Sequence, residues 1–330
     1  MQFQKSTVMK ILIINHNAGS IYHGPNLRTY YASKELVQKY GHDVTLASSS
    51  YSHKYSVLPK ASGVVTDENI DGVNFKWIKC IKYTNLFQRI YSHFEFGLKL
   101  LFNRKKICQE ADLVIFSGPP PEIFFFSWIY AKILKVPIIS DVRDLWPLTQ
   151  LEMSKLQWLN PFIYFLYFSQ YCLVKGSNHL LSPLPGVGLY FKKICLDAKT
   201  TVIENGFDLN REILDKEITL NVIASGTSVG FNKGASIVLS DIQFHKKFIV
   251  GYSGSFDRDN DLDSLIEAAK QLKNRKDILF MFVGAGKRLG FLANATLEIP
   301  NLLVCNRVPS ESVPNILKIM DVCYCGLKLK

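Results

Sequence analysis

Thr201-Val-Ile-Glu-Asn-Gly-Phe-Asp208 is the stretch on which the reading of this chain turns. A short β-branched run ends in an acidic residue and an Asn-Gly pair, and both of those residues tolerate positive φ, so the chain can turn sharply there. An Asn-Gly hairpin would need a matching strand on its far side. None follows: Leu209–Lys216 is charged and irregular. Alternating strand-like and helix-like segments fill the two hundred or so residues before it, and the same alternation restarts at Phe248. The stretch therefore reads as the seam between two α/β halves, 1–208 and 247–330, with 209–246 a connector or an insertion.

Working outward, Ile11-Leu-Ile-Ile14 is a short continuous apolar run of the kind buried on both faces of a parallel sheet. It leads through His16-Asn-Ala-Gly-Ser-Ile-Tyr-His-Gly24 into a helix expected from Pro25 to Tyr40, closed by Gly41, and then into a second strand at His42–Ser48. That is a βαβ unit, without the G-x-G-x-x-G dinucleotide fingerprint. Further strands are expected at Val73–Ile81, Asp112–Phe116, Val136–Ser140, Ser177–Leu181 and Thr201–Ile203, and in the second half at Phe248–Ser255, Ile278–Val283, Leu302–Val304 and Asp321–Cys325. Helices are expected at Asn85–Gln109, Glu122–Leu134, Trp158–Val174, Asp261–Leu272, where Asp261 or Asp259 supplies the N-cap, and Ser310–Met320. Gly284-Ala-Gly-Lys-Arg288 is neither a Walker A loop nor a Rossmann fingerprint. It reads as a strand-end loop, where open parallel sheets take ligands.

At 330 residues with 48% hydrophobic side chains, the chain suits two cores. The formal charge of +11 points to an anionic partner: nucleotide, lipid surface or nucleic acid. No known nucleic-acid motif accompanies the bases, which disfavours the last. The seven scattered cysteines lack zinc spacing and read as reduced thiols of a cytosolic protein. No run approaches the ~20 apolar residues of a membrane span, and the N-terminus does not read as a signal peptide. The aromatic segment Trp158–Val174 reads either as a core helix or as one lying partly on a membrane, helped by the basic and aromatic Asn85–Gln109.

Asp141-Val-Arg-Asp-Leu-Trp-Pro147 crowds two carboxylates, a guanidinium and a tryptophan at the end of a strand, where α/β chemistry sits; a structural ion pair beside a packed Trp is the plainer reading. The ordered set of the Gly19 loop with Arg28, Gly41-His-Asp-Val, Asp144-Leu-Trp-Pro147, Val202–Asp208, Tyr252-Ser-Gly-Ser255, Val283-Gly-Ala-Gly286, Val308-Pro and Asp321-Val resembles the retaining glycosyltransferases of family 4, in the bacterial branch that builds O-antigen and capsule. The resemblance spans nearly the whole chain except 210–246.

It implies the GT-B fold, two Rossmann-like parallel-sheet domains facing a cleft, with the second domain incomplete. It implies a nucleotide-sugar donor, UDP-linked, and a glycan acceptor carried on a polyprenyl phosphate or similar lipid. It also implies work as a peripheral protein on the anionic inner face of the cell membrane, in surface polysaccharide biosynthesis. Gly19 would approach the donor phosphates. Ser253, Gly254, Ser255, Gly284 and Gly286 would line the nucleotide pocket, with Arg258 a cation there, and the backbone at Arg307 and Val308 would read the base. His16, Asn17, Arg28 and Trp146 fall on the acceptor side, Glu204, Asn205 and Gly206 at the hinge, and Arg143 with Asp144 where a catalytic histidine often stands. No metal and no cofactor are implied. Transfer would run on the front face, with the leaving phosphate helping to deprotonate the acceptor hydroxyl. The family's pair of donor-site glutamates has no counterpart before Lys330, so weak donor binding, little or no turnover and an incomplete second sheet are expected. The competing readings are an inactive fragment that binds acceptor or membrane, and a sugar-nucleotide epimerase of the same fold. For the latter, His16, His23, His42, His53, His93, His179 and His245 offer no clear acid/base set.

Overall fold

In the computed structural model, residues 8–24, 26–55, 57–153, 160–206, 246–257, 260–308 and 313–326 are described. The described residues divide into two units, one within Met1–Phe207 and the other within Asp208–Lys330.

The first unit is built on β1 (Lys10–Ile14), whose last four residues are buried. It pairs in parallel with β2 (Asp43–Ser49) on one side and β5 (Leu113–Gly118) on the other. β2 carries β4 (Val73–Ile78), and β4 carries β3 (Val65–Ile70) antiparallel at the edge. Beyond β5 follow β6 (Ile138–Val142), β7 (His179–Ser182) and β8 (Thr200–Val202), all parallel. The order β3-β4-β2-β1-β5-β6-β7-β8 reverses direction between β1 and β5. Such a reversal opens a crevice beyond the strands' carboxyl ends.

The crossovers are α1 (Arg28–Gln38), α2 (Leu86–Phe102) with α3 (Arg104–Ile107), α4 (Phe124–Leu134), α5 (Leu148–Met153) with α6 (Pro161–Gly176), and α7 (Val187–Ile194). Asn85 caps α2, its side chain accepting from the Gln88 amide at 2.9 Å. α1 starts later than the Pro25 reading because Asn26 sits at φ 87°, outside helical space. The single helix expected over Asn85–Gln109 is two, divided at Asn103. One core lies around Leu12, Phe96, Phe116 and Phe124, and another around Tyr30, Phe75 and Trp77.

The second unit has a four-stranded parallel sheet in the order β11-β10-β9-β12, formed by β9 (Phe248–Ser255), β10 (Ile278–Ala285), β11 (Leu302–Cys305) and β12 (Val322–Cys323). Among the described residues its helices are α8 (Leu262–Gln271), α9 (Leu289–Ala295) and α10 (Val313–Ile319). Asp261 caps α8, accepting from Ser264. Met281 and Ile319 centre one core, and Phe256, Phe280 and Phe282 another.

Candidate functional site

The carboxyl ends of β1, β5 and β6 bring together residues more than a hundred positions apart. Arg28, on the first turn of α1, faces Asp141 at the end of β6. Its Nε and Nη2 reach the two carboxylate oxygens at 3.3 Å each, and Ser117 donates to the same carboxylate at 3.0 Å. Arg28 also donates to the carbonyls of Ile203 at 2.7 Å and Glu204 at 2.9 Å and to the Asn205 side chain at 3.1 Å. An arginine has five N–H donors, and all five are used. Arg28, placed on the acceptor side in the sequence reading, ties the start of α1 to β6 and to Ile203–Asn205, where the hinge was expected.

Arg143 is turned inward, donating to the Gly118 carbonyl at 3.0 Å and to Asn26 Oδ1 at 2.8 Å. Desolvation holds its pKa below the usual arginine range, with the nearby charge of Asp141 opposing that effect. Asp144 accepts from Trp146 Nε1 at 3.0 Å and from the Thr149 hydroxyl at 2.5 Å, so it fixes the entry to α5. Trp146 and Asp144, with Gln170, Phe116 and Leu173, line a small apolar slot beside the strand ends.

The loop after β1 is buried and polar. His16 Nδ1 lies 3.2 Å from Asn17 Oδ1, which also accepts from Ser52 at 3.1 Å. Hydrogen-bonded this way, His16 presents a bare Nε2, which has no partner. Burial first, then the neighbouring His93, holds His16 well below its usual titration range. His93 in turn meets Glu122 at 2.7 Å, both side chains almost wholly buried. Gly19 is buried, and a Cβ there would come within 3.4 Å of the Gly24 carbonyl and the Tyr55 ring. Sequence reading missed Lys54 and the part of Arg89 at this end of the sheet. Lys54 titrates below the ordinary lysine range, chiefly through desolvation and then through the charges of Arg89 and Arg143. Three cations therefore share one neighbourhood; only the basic character of Asn85–Gln109 hinted at it.

In the second unit, β9 and β10 run in register with Gly254 opposite Gly284 and Ser255 opposite Ala285. The strand ends touch there: a Cβ on Gly284 would fall 1.9 Å from the Gly254 carbonyl oxygen, and one on Gly286 would fall 2.6 Å from the Phe256 backbone. Gly286 also holds φ 158°. Ser255 donates to Asp257 at 2.8 Å, and Asn260 donates to the Ser255 carbonyl at 2.9 Å. Ser253 is half-buried and Gly254 exposed. Lys287 follows, exposed, while Arg288 is held by Asp263 and lies over the Phe291 ring at 5.0 Å. Val308 packs into the core beneath the sheet and Arg307 is exposed. Arg258 lies outside the described residues. Glu204, Asn205 and Gly206 are exposed at the end of β8. Among the described residues no group of three or more His, Cys, Asp or Glu side chains could hold a metal ion, and no helix is long and apolar enough to cross a membrane.

Two Rossmann-like parallel-sheet units with polar, glycine-bearing strand ends define the GT-B fold class. Solved structures of that class are similar to this chain. Sucrose-phosphate synthase from Thermosynechococcus elongatus matches with a TM-score of 0.67 at 13% identity, covering 97% of this chain and 77% of that one. WaaG, a glycosyltransferase involved in lipopolysaccharide biosynthesis, matches with a TM-score of 0.62 at 14% identity, over 97% and 75% of the two chains. HepE from Anabaena, in complex with UDP and glucose, matches with a TM-score of 0.58 at 11% identity, over 97% and 74%. At such identities the likeness establishes the fold. No protein-family profile matches the chain, and no curated protein matches it in sequence.

Proposed function

We propose that this protein is a glycosyltransferase that moves a hexosyl or N-acetylhexosaminyl group from a UDP-sugar to a hydroxyl of a lipid-linked glycan, with retention, in surface polysaccharide assembly. The observation that carries the donor half is the close approach of the β9 and β10 ends. Glycines at 284 and 286 let the two strand ends meet backbone to backbone, and the exposed loop edge from Gly254 and Ser255 to Gly286 and Lys287 lies at the carboxyl end of the sheet, where open parallel sheets take ligands. Lys287 stands in the same loop and supplies charge without a metal. HepE, of the same fold, holds UDP and glucose in its structure. On the acceptor half, Lys54, Arg89 and Arg143 gather positive charge at the ends of β1 and β5, which suits an acceptor bearing phosphate.

The test is calorimetry on the purified chain with UDP, a UDP-sugar and uridine. UDP and the UDP-sugar are expected to bind, and uridine to bind more weakly because it lacks the diphosphate. Absence of binding by all three would refute the donor assignment.

A further inference from the structure

Among the described residues, seven buried side-chain polar atoms have no hydrogen-bond partner, and three of them belong to one contact cluster: His16 Nε2, His93 Nε2 and Glu122 Oε2. Their side chains come from three elements, the loop after β1, the middle of α2 and the short turn Pro121–Ile123 that follows β5. The three residues are 1%, 2% and 1% exposed. His93 Nδ1 lies 2.7 Å from Glu122 Oε1, and the His93 ring meets the His16 ring at 4.8 Å between centroids and 78° between planes. The Phe96 ring closes another side of His16 at 5.1 Å.

The cluster is short of donors. His93 spends its Nδ1–H on Glu122, and His16 spends its Nδ1–H on Asn17 Oδ1 at 3.2 Å. A carboxylate oxygen and the bare His16 Nε2 remain as acceptors. Adding a proton to His16 is opposed by burial first and by His93 next, which together hold its pKa well below the usual histidine range. The missing hydrogens therefore come from a neutral donor. Buried polar groups are nearly always partnered, and internal waters serve groups that the protein itself leaves unpaired, with about three hydrogen bonds each.

The consequence falls on the next residue. Asn17 Oδ1 also accepts from the Ser52 hydroxyl at 3.1 Å, so both of its partners lie on the protein side. Asn17 Nδ2 bonds to no described residue and is not among the sealed atoms, so the amide shows its NH2 toward the crevice beyond β1. In the opposite tautomer of His16, Nδ1 is an acceptor; Asn17 then turns over and shows its carbonyl oxygen.

We propose that a water bound among His16 Nε2, His93 Nε2 and Glu122 Oε2 locks His16 in its Nδ1–H form, and that His93 and Glu122 are thereby positioning residues that make Asn17 a hydrogen-bond donor toward the crevice. What Asn17 meets rests on the proposed function, under which it is a hydroxyl of the acceptor. The lock itself does not, and its test uses no substrate.

The experiment is long-range proton–nitrogen correlation NMR on the full chain labelled with nitrogen-15, at neutral pH, with His16→Gln and His93→Gln used for assignment. His16 is expected as the Nδ1–H tautomer, with Nε2 shifted as a hydrogen-bonded acceptor, and the Asn17 side-chain amide protons are expected to exchange fast with solvent. His93→Leu with Glu122→Leu removes the other two anchors of the water and strands no charge. In that variant His16 should lose its single form and show both tautomers, and the Asn17 amide should exchange more slowly. His93→Gln, which keeps a polar end on the water, should preserve the tautomer. His16 in the Nε2–H form, a free lone pair at Nε2, or a slowly exchanging Asn17 amide in the unaltered chain would overturn the proposal, whether or not the double variant folds. So would a double variant that folds and keeps the single Nδ1–H form.

Discussion

Replacing Arg28 by methionine is expected to unfold the N-terminal unit more readily, by an amount set by one buried carboxylate. The Arg28 and Asp141 side chains are 16% and 10% exposed. Without the guanidinium, Asp141 keeps the Ser117 hydroxyl at 3.0 Å and the nearby charge of Arg143 but loses its ion pair. The acceptors at Ile203, Glu204 and Asn205 are exposed and turn to water at little cost. Stranding one member of a buried pair costs about 3–5 kcal/mol; the residual exposure puts the expectation at the lower end, about 3 kcal/mol. For a unit of roughly 200 residues that is a fall in Tm of about 6–12 °C. Adding Asp141→Asn removes the stranded charge, so the double variant should regain more than half of the loss. All four tryptophans, Trp77, Trp128, Trp146 and Trp158, lie within the N-terminal unit, so tryptophan fluorescence in a urea titration reports this unit alone. A cost below about 1 kcal/mol, or a double variant no more stable than Arg28→Met, would refute this role of Arg28.

Gly284→Ala should abolish UDP binding and lower the stability of the second unit, because its Cβ has no room beside the Gly254 carbonyl; calorimetry and melting curves on one preparation check both. Burial, ahead of every other cause, lowers the pKa of His16, His23 and His53. The unfolded chain therefore binds more protons once the pH drops below about 6.5. Stability from these groups is full above that value and is lost as the pH falls toward their depressed folded values, so Tm should decline steadily from pH 7 to 5. The buried Cys80 and Cys305 thiols are pushed up to about 12, whereas Cys323 and Cys325 are exposed; a thiol reagent should label the latter two quickly and the former two only on unfolding. Asp144→Asn is expected to loosen the Trp146–Thr149 turn yet keep transfer within about tenfold of wild type, a loss near 1.4 kcal/mol. A thousandfold drop in kcat at unchanged Tm would make Asp144 the base.

The strands were legible where physics writes a strong local pattern. Ile11–Ile14 and Ile278–Val283 are apolar throughout because both faces of a parallel strand are covered. β3 escaped for the opposite reason: Val65-Thr-Asp-Glu-Asn-Ile70 is an antiparallel edge strand whose centre, Asp67-Glu68-Asn69, is polar and exposed. α7 escaped because Val187–Ile194 is short and follows a Pro-Gly turn that reads as a loop. The site was legible by position, since both loop sets sit at strand ends, but the partnerships were not. Arg28 and Asp141 are separated by 113 residues, and neither residue's surroundings announce a mate. The aromatic character of α2 could be read from the sequence alone. Its continuation through α4 into α6 required the tertiary packing of Phe94 on Phe126 and Phe165.

The hydrogen bonding at the strand ends bears on how the proposed transfer would be driven. A general base must present a free lone pair to the acceptor hydroxyl. Asp141 is turned to Arg28 and Ser117, and Asp144 to Trp146 and Thr149. Glu122 is sealed with His93 beneath the surface, and His16 is wholly buried, held neutral, with its own ring edge against His93 at 4.8 Å. None of the four stands open to an acceptor arriving from solvent. What the strand ends do offer is positive charge, from Lys54, Arg89 and Arg143, and fixed backbone. Under the proposed function such a site would hold an anionic acceptor still and stabilise charge, and the proton of the attacking hydroxyl would fall to the oxygen of the departing phosphate.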